Sequence, residues 1–208
     1  MSTTSVSNIM EPFGIELDLE RGLMLQAKNH LVRRASDMRG YYADADALER
    51  LVAAGDPVHY EVLEVPVPEQ AGQLMYCIST LQPGRVGREF FMTKGHYHRV
   101  PQTAEIYLCL RGEGYMLMKT SDGRCEAERM SRGRMVYVPP YWAHRSVNTG
   151  AEPLVSFCVY PGDAGHNYGD IAQEGFPKRI VERDGQCVIE SSRHAPRDDN
   201  QHTTSRGA

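Results

Sequence analysis

From Pro57 onward, short apolar runs alternate with turn residues at roughly ten-residue intervals, and nothing between them is long enough for a crossover helix. The runs are VHYEVLEVPV (58–67), LMYCISTLQP (74–83), FFMTKGHYH (90–98), AEIYLCLRG (104–112), GYMLMKT (114–120), CEAERM (125–130), RMVYVPP (134–140), HRSVNTG (144–150) and LVSFCVYP (154–161), with a weaker one near KRIVE. A doubly wound parallel sheet needs a helix between successive strands, so nucleotide-binding folds of that class are excluded. The pattern fits an all-β sandwich, or a barrel closed to remove its edges. Ser121-Asp122-Gly123 and Asn148-Thr149-Gly150 read as hairpin turns, and Arg111-Gly112-Glu113-Gly114 supplies glycines where a tight link needs positive φ.

One helix is expected, in ADADALERLVAAGDP, with Asp44 as N-cap and Gly55 and Pro57 closing it. Residues 1–11 read as a flexible N-terminus, 12–190 as one domain with an N-terminal extension, and 191–208 as a disordered tail that carries His194 and His202. The formal charge of -4 and the small basic group Arg85, Arg88, Lys94 and Arg99 are too little for a nucleic-acid surface but suit a small anion. Five cysteines without a CxxC pair argue against both a disulfide scaffold and a thiolate zinc site. Cys77, Cys109 and Cys158 lie in apolar runs as small buried side chains. With no leader pattern and no unbroken apolar run of 18 residues, no membrane span is expected and a cytoplasmic location is.

The histidines carry the chemical signal. His30 and His59 stand alone, as surface or packing residues. His96 and His98 are two apart, which in extended chain puts both on one face, and Glu105 follows at the start of the next run. Polar groups converging among Phe90, Phe91, Ile106 and Leu108 are costly unless paired, and a divalent cation is one of the few partners for all of them. The segment VYVPPYWAH then turns a rigid corner at Pro139 and Pro140 and presents His144 opposite the first pair. His166 lies in DAGHNYGD, a glycine-rich segment after the last long run that reads as a lid.

The strings Gly87…His96-Tyr97-His98…Glu105…Gly112 and Gly133…Pro139…His144…Asn148 resemble the two motifs of the cupin superfamily. Six residues rather than three or four separate His98 from Glu105, and Tyr141 stands where glycine is usual. With TKGHYH, AEIYLCLRGEG, VYVPPYWAHRSVN and YPGDAGHNYGDIAQEGFPKRIVE, the chain resembles one branch, the cupin-type glucose-6-phosphate isomerases of archaea and some bacteria, over roughly residues 35–190.

This resemblance implies an all-β, jelly-roll-like cupin barrel with a short helix-bearing N-terminal extension, working as a homodimer. It implies one divalent metal per subunit, iron(II), manganese(II) or zinc, on His96, His98, Glu105 and His144. The activity implied is interconversion of glucose 6-phosphate and fructose 6-phosphate, through an enediol(ate) or a metal-guided hydride shift, with Glu105, His144 and His166 as catalytic candidates. Thr93, Gly95, Tyr160 and His166 match the family's phosphate and sugar-binding positions, Ser79 stands where the family has threonine, and Tyr107 shares strand parity with Glu105. The alternatives are another metal-dependent cupin enzyme, either a mannose-6-phosphate isomerase or an iron dioxygenase, and a non-enzymatic sugar-binding cupin.

Overall fold

The computed structural model describes residues 10–19 and 21–192. Of the flexible N-terminus expected at 1–11 and the tail expected at 191–208, residues 1–9 and 193–208, with His194 and His202, lie outside the described residues.

The strand-rich half folds as the alternation dictates. A six-stranded antiparallel sheet runs in the order Met135–Val138, Glu105–Arg111, Leu154–Pro161, Leu74–Leu81, Val58–Glu64 and Asn29–Arg34. A three-stranded sheet sets Glu113–Lys119 between Cys125–Ser131 and Ala143–Asn148. Gln186–Ser191, Lys178–Arg183, Glu89–Phe90 and Arg85–Val86 make a four-stranded sheet. Tyr97–His98 pairs with His166–Asn167, and Leu17–Asp18 with Leu23–Met24.

The helix spans Ala45–Ala53, and the Asp44 carboxylate caps it by accepting the Ala47 N–H at 2.8 Å. A second short helix, Gly169–Glu174, and a 3-10 turn at Ala35–Met38 were not expected, nor were the strands Asn29–Arg34 and Gln186–Ser191. Gly112 has the positive φ expected of it, 79°, whereas Gly114 has another reason: a Cβ there would lie 2.0 Å from the Val147 carbonyl oxygen.

The expected jelly-roll cupin barrel is not formed, because among the described residues no sheet closes on itself. Closure needs a continuous ladder between edges, and the segment alongside the Ala143–Asn148 edge does not supply one. FFMTKGHYH, expected as one strand, is strand only at Glu89–Phe90 and Tyr97–His98. Between them the chain makes two isolated bridges, Met92 with Val147 and His96 with His144. Gly95 at φ 77° breaks the run, and the Thr93 hydroxyl accepts the Ser146 N–H at 3.1 Å. The polar groups are satisfied locally instead of by a strand.

Adjacent residues of a strand face opposite sides of its sheet, and two cores follow from that. Tyr60, Cys77, Leu81, Cys109 and Val136 of the six-stranded sheet share the main core with Met116, Leu117, Met130 and Val147 of the three-stranded sheet. Ile78 and Val155 point the other way, where Met24, Leu17 and Ala27 of the N-terminal arm cover them. Each large side chain so buried contributes roughly 1.5–3 kcal/mol.

Candidate metal centre

His96, His98, Glu105 and His144 each offer one ligand atom, and these atoms lie within 4.8 Å of one another. Three local devices bring them together. Gly95 turns the chain immediately before His96. The six residues between His98 and Glu105 close on themselves, with the Thr103 hydroxyl donating to the Val100 carbonyl at 2.7 Å and meeting His98 Nδ1 at 2.8 Å. That contact fixes the ring so that Nε2 faces Glu105. At the proline corner, Tyr141 adopts φ 69° and donates its N–H to the Pro101 carbonyl at 2.7 Å. The corner needs a left-handed residue, which is why glycine suits the position; a tyrosine there costs about 1–2 kcal/mol.

The Glu105 Oε2 atom lies 2.9 Å from His144 Nε2 and 3.1 Å from His98 Nε2. The Tyr107 hydroxyl sits 3.1 Å from His144 Nε2. Burial alone pushes the Glu105 carboxyl up, but the field of His144 and hydrogen bonds from His144 and His98 outweigh it, and the group titrates well below the usual carboxylate range. Burial drives His96 well below the ordinary imidazole value, so its ring is neutral. His96 Nε2 and His144 Nδ1 are buried without a hydrogen-bond partner. Neutral imidazole, an orphaned ring nitrogen and a carboxylate oxygen shared by two rings are what a cluster fit for one divalent cation requires.

The cluster borders a cavity of about 300 Å³, and Ser79, Thr93, Gly95, Tyr107, Tyr160 and His166 all line it. The Tyr160 hydroxyl donates to the Glu64 carboxylate at 3.0 Å. The His166 ring lies 4.4 Å from that of His96, and burial lowers its pKa. Arg33, Tyr60 and Tyr168 also line the cavity, although sequence reasoning missed them. Arg33 lies in a short strand with only two apolar residues, and neither Tyr60 nor Tyr168 belongs to a motif, so no sequence signal singles them out. The basic group expected to attract an anion is dispersed: Arg85 pairs with Glu182, Arg88 with Glu190, and Lys94 lies over the Tyr41 ring. A larger depression of about 510 Å³, around Asp44, Gly87 and Arg179, holds none of the predicted site residues.

Known proteins share most of this chain. The family model described as glucose-6-phosphate isomerase (GPI) matches residues 32–197. A glucose-6-phosphate isomerase of Thermococcus litoralis is 49% identical over 88% of this chain and 95% of its own length. That of Thermococcus gammatolerans is 50% identical over 86% and 93%, and that of Pyrococcus horikoshii 48% identical over 86% and 94%. With a family model matching most of its length and relatives about half identical over nearly all of theirs, the chain belongs to the glucose-6-phosphate isomerase (GPI) family.

Proposed function

We propose that this chain is a metal-dependent isomerase that interconverts D-glucose 6-phosphate and D-fructose 6-phosphate. The observation that carries the reading is the convergence of His96, His98, Glu105 and His144 beside a cavity able to enclose a small sugar phosphate. These four residues hold one divalent ion, iron(II), manganese(II) or zinc. Once bound, the ion supplies Lewis acidity toward the sugar oxygens.

The residues of the chain do the rest. Glu105 carries a proton between C1 and C2 along an enediol route, the Tyr107 hydroxyl and His144 hold its carboxylate in place, and His166 exchanges a proton with the sugar oxygens. Thr93, Ser79 and the Gly95 N–H contact the phosphate, and Tyr160 packs against the sugar. The reading includes a homodimer in the cytoplasm. Exposed Met135, Tyr137 and Ile106 support the first, and free cysteines the second. Among the described residues, no helix is long and apolar enough to cross a membrane.

The test is an anaerobic assay of metal-reconstituted protein on fructose 6-phosphate, with mannose 6-phosphate as competitor. Turnover is expected to vanish on chelation and to return with iron(II) or manganese(II). Glu105→Gln should lower kcat by about 10²–10⁴-fold. Full activity of verified metal-free protein sinks the metal role, and near wild-type turnover of metal-loaded Glu105→Gln sinks the base.

A further inference from the structure

The cavity wall also carries a pair of thiols to which the isomerisation gives no part. In the six-stranded sheet, Glu64, Cys77, Cys158 and Tyr107 stand opposite one another on successive strands, forming one row across the floor. Cys77 and Cys158 are direct cross-strand partners. Both are buried and free, and both line the cavity; the Cys158 thiol donates to the Ser156 carbonyl at 3.8 Å. The remaining cysteines lack such a partner: Cys109 is in register with Ser156, Cys125 with Lys119, and Cys187 with Glu182.

Two adjacent thiols at the edge of a closed space suit a ligand that bonds to both sulfurs at one atom. We propose that Cys77 and Cys158 form a two-thiol site that takes a trivalent organic arsenical, and that its occupation shuts the cavity to substrate. The binding step balances without an oxidant. Two As–O bonds of the arsonous acid break, two As–S bonds form, the thiol protons leave with the hydroxyls as two waters, and arsenic stays trivalent.

A disulfide is the rival fate of this pair. Directly opposed residues of an antiparallel ladder have Cα separations of about 4.5–5.5 Å, within disulfide range. It requires a thiolate and an external oxidant, however, and burial pushes the Cys158 thiol well up, against ionisation. Condensation with loss of water draws on the protonated thiols that burial favours. The cavity of about 300 Å³ has room for one aryl group, and Glu105 and Tyr107 line the same space.

Binding does not rest on the isomerase reading, but the loss of turnover does, so the test has two arms. Metal-loaded protein is treated with one equivalent of phenylarsine oxide. Intact mass should show one phenylarsenic per chain with two hydrogens lost, and isomerase activity should fall at least ten-fold. A dithiol such as 2,3-dimercaptopropanol should restore activity, and excess monothiol should not. Cys77→Ala and Cys158→Ala, each read against its own untreated turnover, should lose both adduct and inhibition, while Cys109→Ala should keep both. Cys77→Ser and Cys158→Ser, with folding checked by circular dichroism, replace either alanine variant that fails to fold. An adduct that survives loss of Cys77 or Cys158 overturns the site, and an adduct without inhibition overturns closure. Absence of turnover in untreated protein counts against the isomerase reading alone, and the mass arm then decides the site.

Discussion

His59 and His144 are both shut away from water, but their surroundings differ in kind. His144 faces a carboxylate and two further imidazoles, whereas His59 stacks on Phe91 at 3.7 Å, with the Tyr42 hydroxyl 3.0 Å from Nε2 and no partner at Nδ1. Burial lowers the His59 pKa to about 4 from an ordinary value of 6.5. Between those values the unfolded chain binds a proton that the folded chain refuses. Stability is therefore full above pH 6.5, falls as pH drops through the window, and levels off below about 4. From pH 7 to pH 5 this one group removes about 2 kcal/mol. Urea unfolding at the two pH values should show His59→Gln losing less stability than the parent by about that amount; equal losses would assign the effect elsewhere. The packing role was legible because His59 has no partner at ligand spacing. The role of Arg33 was not, since a lone arginine in a short strand carries no motif.

Alternation of apolar and polar residues identified the long strands, because a period of two survives wherever one face is buried. It failed at 91–96, where single bridges, a positive-φ glycine and the Thr93 hydroxyl take the place of a ladder. The apolar letters there are real, but they serve packing around a turn rather than a strand. Asn29–Arg34 went unseen because only Leu31 and Val32 among its residues are apolar. Strand contact also decides what substitutions cost. Gly114 lies in the ladder against Asn148, and any Cβ there meets the Val147 carbonyl, so the two strands must separate. We expect Gly114→Ala to destabilise the chain by about 1–3 kcal/mol, as overpacking does. Because the displaced strand carries His144, bound metal should fall with it. Thermal melting with metal analysis checks both, and an unchanged melting temperature would show that the strands yield at no cost.

At the scale of the molecule, strand spacing could count strands but could not say how the sheet edges are finished. Met135–Val138 ends the six-stranded sheet, with Met135 and Tyr137 exposed and Ile106 opposite Tyr137. An apolar edge of this kind invites pairing with another chain. In the proposed homodimer it is the contact, so Met135→Glu combined with Tyr137→Glu should convert dimer to monomer in light scattering while secondary structure persists; a dimer that survives both charges places the interface elsewhere. The His–Glu cluster was readable because its members keep fixed spacings, but the wall around it is assembled from seven strands and could be seen only in three dimensions. One of its smallest parts has the widest reach. His166–Asn167 is tied to Tyr97–His98 by a ladder of only two residues, so whatever settles His166 onto a ligand also stiffens the strand that holds His98. Thermodynamic reciprocity then requires ion and sugar to raise each other's affinity by the same factor.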